Sequence, residues 1–288
     1  MTATSAETAT LLVACKDRTG IIAALSDFVF RNGGNILDLD QHAERESGMF
    51  FMRLVWDVAG FRMDRAATDA ALSDLSARMG LACELSYSTA VPKVAIFATK
   101  APYCLYDLLL SQQLGELHCK IVAVLSNHDE LRLVAEHFDV PYHHTPIAKG
   151  GKAEAEAAQL ALLKSLSVDL VVLARYMQIL SPGFVAAVNG QIINIHHSFL
   201  PAFIGARPYH QAKERGVKLI GATAHYVTAE LDQGPIIEQD VTRVTHREDV
   251  EQLVRKGSEL ERQVLTRAVK LHLERRVLVS GNRTIVFG

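Results

Sequence analysis

The side chains best suited to chemistry lie in the C-terminal half of the chain, in three short stretches. In Ile192-Ile193-Asn194-Ile195-His196 the strand period of two puts Asn194 and His196 on one face, with Ile193 and Ile195 on the other. The polar pair precedes the loop Ser198-Phe199-Leu200-Pro201. It therefore falls at the carboxyl end of a strand, where open α/β sheets bind their ligands. A second strand pattern, Ile220 to Val227, carries His225 among small and apolar residues, and its following loop, Leu231-Asp232-Gln233-Gly234-Pro235, sets an acid before a glycine turn. These types suit attack on an amide-type carbonyl. Asn194 and a protonated His196 can donate to the oxygen on which charge develops, Asp232 can take a proton from the nucleophile and return one to the leaving nitrogen, and His225 can orient that carboxylate. Spacing leaves a plainer alternative open, in which the strand-end Asn and His serve loop backbone and Asp232 is a turn acid.

Those residues need a scaffold, and the patterning supplies one. The runs Val94 to Ala98, Ile121 to Ser126 and Leu170 to Ala174 are short and continuously apolar, as in parallel strands covered on both faces. Helical periodicity over Leu105 to Gln113, Glu130 to His137 and Ala153 to Ser165 supplies crossovers between them. Gln191 to His196 and Leu219 to Val227 add strands; a long amphipathic helix from Arg247 to Leu273 and a hairpin over residues 277–287 follow. The expectation is α/β: a doubly wound, mostly parallel sheet over residues 93–288.

Residues 1–88 read differently. A strand over Thr10 to Cys15 leads through Lys16-Asp17-Arg18-Thr19-Gly20 into a helix, which stops at Asn32-Gly33-Gly34-Asn35. Strands over Ile36 to Glu44 and Met49 to Val58, a helix over Asp64 to Met79 and a strand over Leu81 to Tyr87 complete a βαββαβ, ferredoxin-like order. The boundary falls in the polar stretch Ser86 to Pro92. The free N–H groups before the first helix, around Asp17 and Gly20, with Asn35 nearby, suit the carboxylate of a small effector. The small sheet's edges suit pairing with a second copy, hence a homo-oligomer.

Composition narrows the function classes. With 288 residues, Lys+Arg 30 against Asp+Glu 32 and a formal net charge of −2, the chain has no field to draw it to nucleic acid or anionic membranes. No window sustains the roughly 18 apolar residues of a membrane span, and MTATSAETAT does not resemble a signal peptide, so a cytoplasmic protein is expected. Cys15, Cys83, Cys104 and Cys119 form no C-x-x-C pair. The pairs His143-His144 and His196-His197 would splay to opposite faces on an extended chain, so no metal site is expected.

Asn194-Ile195-His196-His197-Ser198-Phe199-Leu200-Pro201, Gly221-Ala222-Thr223-Ala224-His225-Tyr226-Val227 and Leu231-Asp232-Gln233-Gly234-Pro235-Ile236-Ile237 together resemble the formyltransferase-fold family that uses 10-formyltetrahydrofolate. The resemblance implies that Asn194, His196 and Asp232 are catalytic and that Arg175, Met177, Ile179 and Leu180 line the folate pocket. His197 in place of proline, and an N-terminal loop similar to that of ACT domains, point to the deformylases of that family. They imply hydrolysis of 10-formyltetrahydrofolate to formate and tetrahydrofolate for one-carbon and purine metabolism, without a prosthetic group, and glycine or methionine as the effector. Arg207 departs from the deformylase wording, which has Asn there. Transfer to an amine such as glycinamide ribonucleotide is the alternative, and a silent amino-acid sensor is a third reading. Against the transferase, the loop Thr99-Lys100-Ala101-Pro102 has no glycine to cradle a phosphate.

Overall fold

A computed structural model describes residues 7–188, 191–201 and 208–288. The chain forms two compact units. The first takes the chain through Val91 together with Arg275–Leu278 and Ile285–Gly288; the second is Pro92–Glu274 with Val279–Thr284.

The first unit runs β1 (Thr8–Lys16), α1 (Ile21–Arg31), β2 (Asn35–Glu44), β3 (Met49–Asp57), α2 (Arg65–Met79) and β4 (Ala82–Tyr87), the ferredoxin-like order expected. Its antiparallel sheet has the order β2-β3-β1-β4. Period two explains the core: Leu11, Val13 and Cys15 of β1 and Met52, Leu54 and Trp56 of β3 meet Ile21, Leu25 and Val29 of α1. Helix α2 is bounded as its ends require. The Asp64 side chain accepts from Ala67 N–H (2.8 Å), and Gly80 closes it with φ +60. The opposite face of the sheet is apolar too, and Leu12 and Phe51 pack there against Leu278 and Phe287. Those last segments fall within the range 93–288 expected for the second domain, yet they complete the first unit's second apolar layer.

The second unit contains β5 (Lys93–Ala98), α3 (Tyr103–Gln113), β6 (Lys120–Ser126), α4 (Arg132–His137), β7 (Tyr142–His144), α5 (Lys152–Leu166), β8 (Leu170–Ala174), α6 (Pro182–Ala187), β9 (Ile192–His196), α7 (Pro208–Arg215), β10 (Leu219–Tyr226), β11 (Ile236–Arg243) and α8 (Val250–Leu273). The hairpin β12 (Val277–Ser280) and β13 (Arg283–Val286) ends the chain. The seven-stranded sheet has the order β11-β10-β9-β8-β5-β6-β7. Strands β5 to β9 pair in parallel, whereas β10 runs antiparallel to both β9 and β11. Because β6 and β7 extend to one side of β5 and β8 and β9 to the other, the topological switch lies between the carboxyl ends of β5 and β8. Helix α8 starts on a full capping box between Asp249 and Gln252 and buries Leu253, Leu260, Val264, Leu265 and Val269.

Candidate active site

Four residues of the pair β9–β10 share one face, because residues opposite each other on antiparallel strands point the same way: Asn194 faces His225, and His196 faces Thr223. The loop after β10 brings Asp232 to them. It turns back tightly, since a Cβ at Gly234 would fall 1.7 Å from the Tyr226 carbonyl oxygen, and Asp232 itself has φ +55. A left-handed aspartate is tolerated where its carboxylate is held by local partners. Here they are His196, with Nδ1 3.3 Å from Oδ2, and His225, with Nε2 3.8 Å from Oδ1. The structure thus brings Asn194, His196, His225 and Asp232 together, as the strand spacing and loop chemistry had suggested.

Hydrogen bonds define what each group can do. His225 Nδ1 lies 2.9 Å from the Tyr226 carbonyl oxygen, an acceptor only, so that nitrogen carries the proton and neutral His225 offers Nε2 as an acceptor. Asn194 Nδ2 lies 3.2 Å from that Nε2 and donates to it, which leaves its second N–H for a ligand. His225 therefore orients Asn194 more closely than it orients Asp232. His196 donates from Nδ1 to Asp232, and its Nε2, buried, has no hydrogen-bond partner among the described residues. The hydrogen bond from His196 is the largest cause that holds the Asp232 carboxyl far below the usual carboxylate range.

Thr223 was not singled out from sequence, although it shares the period-two face with His225. Its hydroxyl, fully buried, donates to the Ser198 carbonyl (2.9 Å) and accepts from Leu200 N–H (3.1 Å) and Gln239 Nε2 (2.9 Å). It thereby clamps the loop after His196. His197 does not point away from His196: β9 ends at His196, the pleat alternation ends with it, and the two rings stack with centroids 5.1 Å apart. Burial first, and then the charge of Arg175, push His197 down to about 3.

At the switch point, the Thr99 Oγ1 accepts from Met177 N–H (3.0 Å), tying the loop after β5 to the loop after β8. Met177 and Ile179 are exposed on that second loop, whereas Leu180 is half-buried against the core cluster that includes Phe184 and Val185. Arg175 is left-handed, φ +61, and turns its guanidinium to Glu261 of α8, Nε to Oε2 3.3 Å. Glu261 is 1% exposed and also accepts from Tyr103 Oη (2.8 Å) and Tyr209 Oη (2.6 Å). The three effector residues are not brought together within the chain. Asp17 N–H bonds the Gly48 carbonyl at the start of β3, while Asn35 pairs with Asp57 at its end, about 27 Å away at strand rise. Arg207 lies outside the described residues. Among the described residues, no group of three or more His, Cys, Asp and Glu is arranged to hold a metal ion, and no helix is long and apolar enough to cross a membrane. The four cysteines are free, and Cys15, Cys104 and Cys119 are buried.

Comparison with known proteins places this geometry in a family. Residues 92–269 match the formyl transferase family model. A formyltetrahydrofolate deformylase of Synechocystis is 51% identical over 97% of this chain and 98% of its own length. One of Bacillus subtilis is 50% identical, over 96% and 93%. The crystal structure of a formyltetrahydrofolate deformylase from Pseudomonas syringae pv. tomato superposes with TM-score 0.97 at 44% identity, covering 99% of this chain and 96% of that one. A glycinamide ribonucleotide transformylase from Symbiobacterium toebii, by contrast, reaches TM-score 0.66 at 30% identity and covers 69% of this chain and 95% of that one. The chain belongs to the formyltetrahydrofolate deformylases, a branch of the formyl transferase family.

Proposed function

We propose that this enzyme hydrolyses 10-formyltetrahydrofolate to formate and tetrahydrofolate, with Asn194, His196 and Asp232 as its reacting groups. Water adds to the formyl carbon and gives one proton to Asp232. The carbonyl oxygen gains the charge and is met by the spare N–H of Asn194 and by His196 Nε2 in its protonated form. Asp232 returns the proton to N10, the carbon–nitrogen bond breaks to leave tetrahydrofolate, and the formic acid released loses its proton to give formate. His225 acts one step back, by holding the Asn194 amide. The observation that carries this reading is the His196–Asp232 pair at 3.3 Å, with the buried Nε2 on the far side of the ring lacking a hydrogen-bond partner among the described residues. None of these steps calls on a prosthetic group.

Exposed Met177 and Ile179 suit the faces of a flat pterin, with backbone groups of the same loop at its polar edge. Arg175 and Leu180 would then support that loop from below. The first unit is read as an ACT-like module that takes an amino-acid effector, glycine or methionine, and assembles a homo-oligomer; the long edge strand β2 supports the second part. The setting proposed is cytoplasmic one-carbon and purine metabolism. The test is purified protein with 10-formyltetrahydrofolate and no acceptor: formate appears in step with tetrahydrofolate. Formate that required an added amine would return the reading to a transferase. Calorimetric titration with glycine and methionine tests the effector; absence of heat and of any rate change would leave the module structural.

A further inference from the structure

The loop after β8 leaves the sheet with its backbone unsupported by other backbone. Among the described residues, no backbone–backbone hydrogen bond involves residues 176–180. A segment without such bonds keeps one shape only if side chains supply them. Here they come chiefly from α5. Glu156 Oε1 accepts from Ser181 N–H (2.9 Å) at the far end of the loop, and Gln159 Nε2 donates to Tyr176 Oη (3.3 Å) at its start. Ser181 in turn caps α6, its Oγ accepting from Phe184 N–H (3.1 Å). Glu156 and Gln159 lie three residues apart and so share a face of α5, where they are 7% and 1% exposed. Packing alone would put apolar side chains there, because a carboxylate or an amide is costly to bury without partners. The Glu156 carboxylate has the Ser181 N–H and, 3.8 Å away, the Lys152 ammonium.

Exposure alternates along that loop. Tyr176 is buried, Met177 exposed, Gln178 half-buried, Ile179 exposed and Leu180 half-buried, as on an extended chain whose odd-numbered residues face outward. A shift by one residue would turn Met177 and Ile179 inward and present Gln178 and Leu180 in their place. The grip on Tyr176 and on Ser181 prevents that shift from both ends, and Thr99 Oγ1 on Met177 N–H adds a third fixed point between them. We propose, on the reading of Met177 and Ile179 as pterin walls, that Glu156 and Gln159 are positioning residues for the substrate: they fix the register in which the loop presents those two side chains. Among the described residues, neither bonds to Asn194, His196 or Asp232, so the pair acts on binding and not on the steps at the formyl carbon.

The test compares KM and kcat for 10-formyltetrahydrofolate with the calorimetric affinity for tetrahydrofolate, all on the full chain. Glu156→Leu removes the acceptor of Ser181 N–H. It should raise KM and weaken tetrahydrofolate binding by about tenfold each, with kcat within about threefold of wild type. Glu156→Gln keeps a carbonyl oxygen at that place and should hold both quantities within about threefold of wild type. Gln159→Leu frees the Tyr176 hydroxyl and should shift both in the same sense by about fivefold; it leaves no backbone N–H unpaired, and so serves if Glu156→Leu does not fold. A folded Glu156→Leu with a lowered urea midpoint but wild-type KM and tetrahydrofolate affinity overturns the proposal, since the pair then only stabilises the fold. A loss in kcat alone overturns it too. Met177→Ala is the control for the pterin walls. If it weakens tetrahydrofolate binding while Glu156→Leu and Gln159→Leu do not, the positioning role fails alone; if it leaves binding unchanged, the pterin reading fails and the positioning role with it.

Discussion

The two halves of the second unit's sheet are built on opposite rules. In β5, β6 and β8 the buried positions are almost all apolar: β8 is Leu-Val-Val-Leu-Ala, buried throughout, and Phe97 of β5 meets Tyr176 and Phe184 edge-on. The pair β9–β10 buries His196, Thr223 and His225 in the same sheet. The first half is held by packing, which asks only for apolar volume of the right shape. The second is stable only because its polar atoms find partners in one another and in the loops after β9 and β10, since an unpaired buried polar group costs about 1–3 kcal/mol. The exception within that pair is His196 Nε2, which is buried with no hydrogen-bond partner among the described residues.

The comparison breaks first at Asp232. Asp232→Asn keeps shape and burial but cannot take a proton, so kcat should fall by about 10³-fold or more while KM changes little. Retained turnover, or a loss confined to KM, would remove Asp232 from proton transfer and make the polar half merely structural. The apolar half should respond in the opposite currency. Phe97→Ala opens a cavity beside Tyr176 and Phe184 and should cost about 3–5 kcal/mol in urea unfolding. The rate per folded molecule should stay within about twofold of wild type, because Phe97 reaches no reacting group. A large kcat loss at full folding would show that the apolar half also tunes the chemistry.

How much of this was legible in sequence follows the same division. Continuous apolar runs announced β5, β6 and β8, and strand period announced that Asn194 and His196 share a face. The antiparallel direction of β10 was hidden, because α7 lies between β9 and β10 just as crossover helices lie between parallel strands. Strand β7 is only three residues, and β11 carries Glu238, Gln239 and Asp240 in succession and then Thr242 and Arg243, so neither produced a clear period. Glu261 sits in a charged stretch of α8 and reads as solvent-facing; its burial depends on Tyr103, Arg175 and Tyr209 from three distant segments, which no local window joins. The first unit held a signal that could have been used further. Leu11-Leu12-Val13 and Phe50-Phe51-Met52 are apolar on both strand faces, which requires a second cover, and the chain's last residues provide it.

The smallest predicted effect separates the halves by their response to acid. His197 is held down to about 3 against an ordinary 6.5, chiefly by burial, so between those values the unfolded chain binds a proton that the folded one does not. The stability from keeping His197 neutral is complete above 6.5 and is lost as pH falls towards the folded value. The slope is at most about 1.4 kcal/mol per pH unit. Urea midpoints of wild type and His197→Asn should therefore converge as pH drops from about 7 to about 4, because the variant has no such proton to exclude. For Phe97→Ala the gap to wild type should hold constant over the same range, since no titrating group is removed. Parallel curves for His197→Asn would mean that the ring is solvated and free to charge. The stack on His196 would be lost with it.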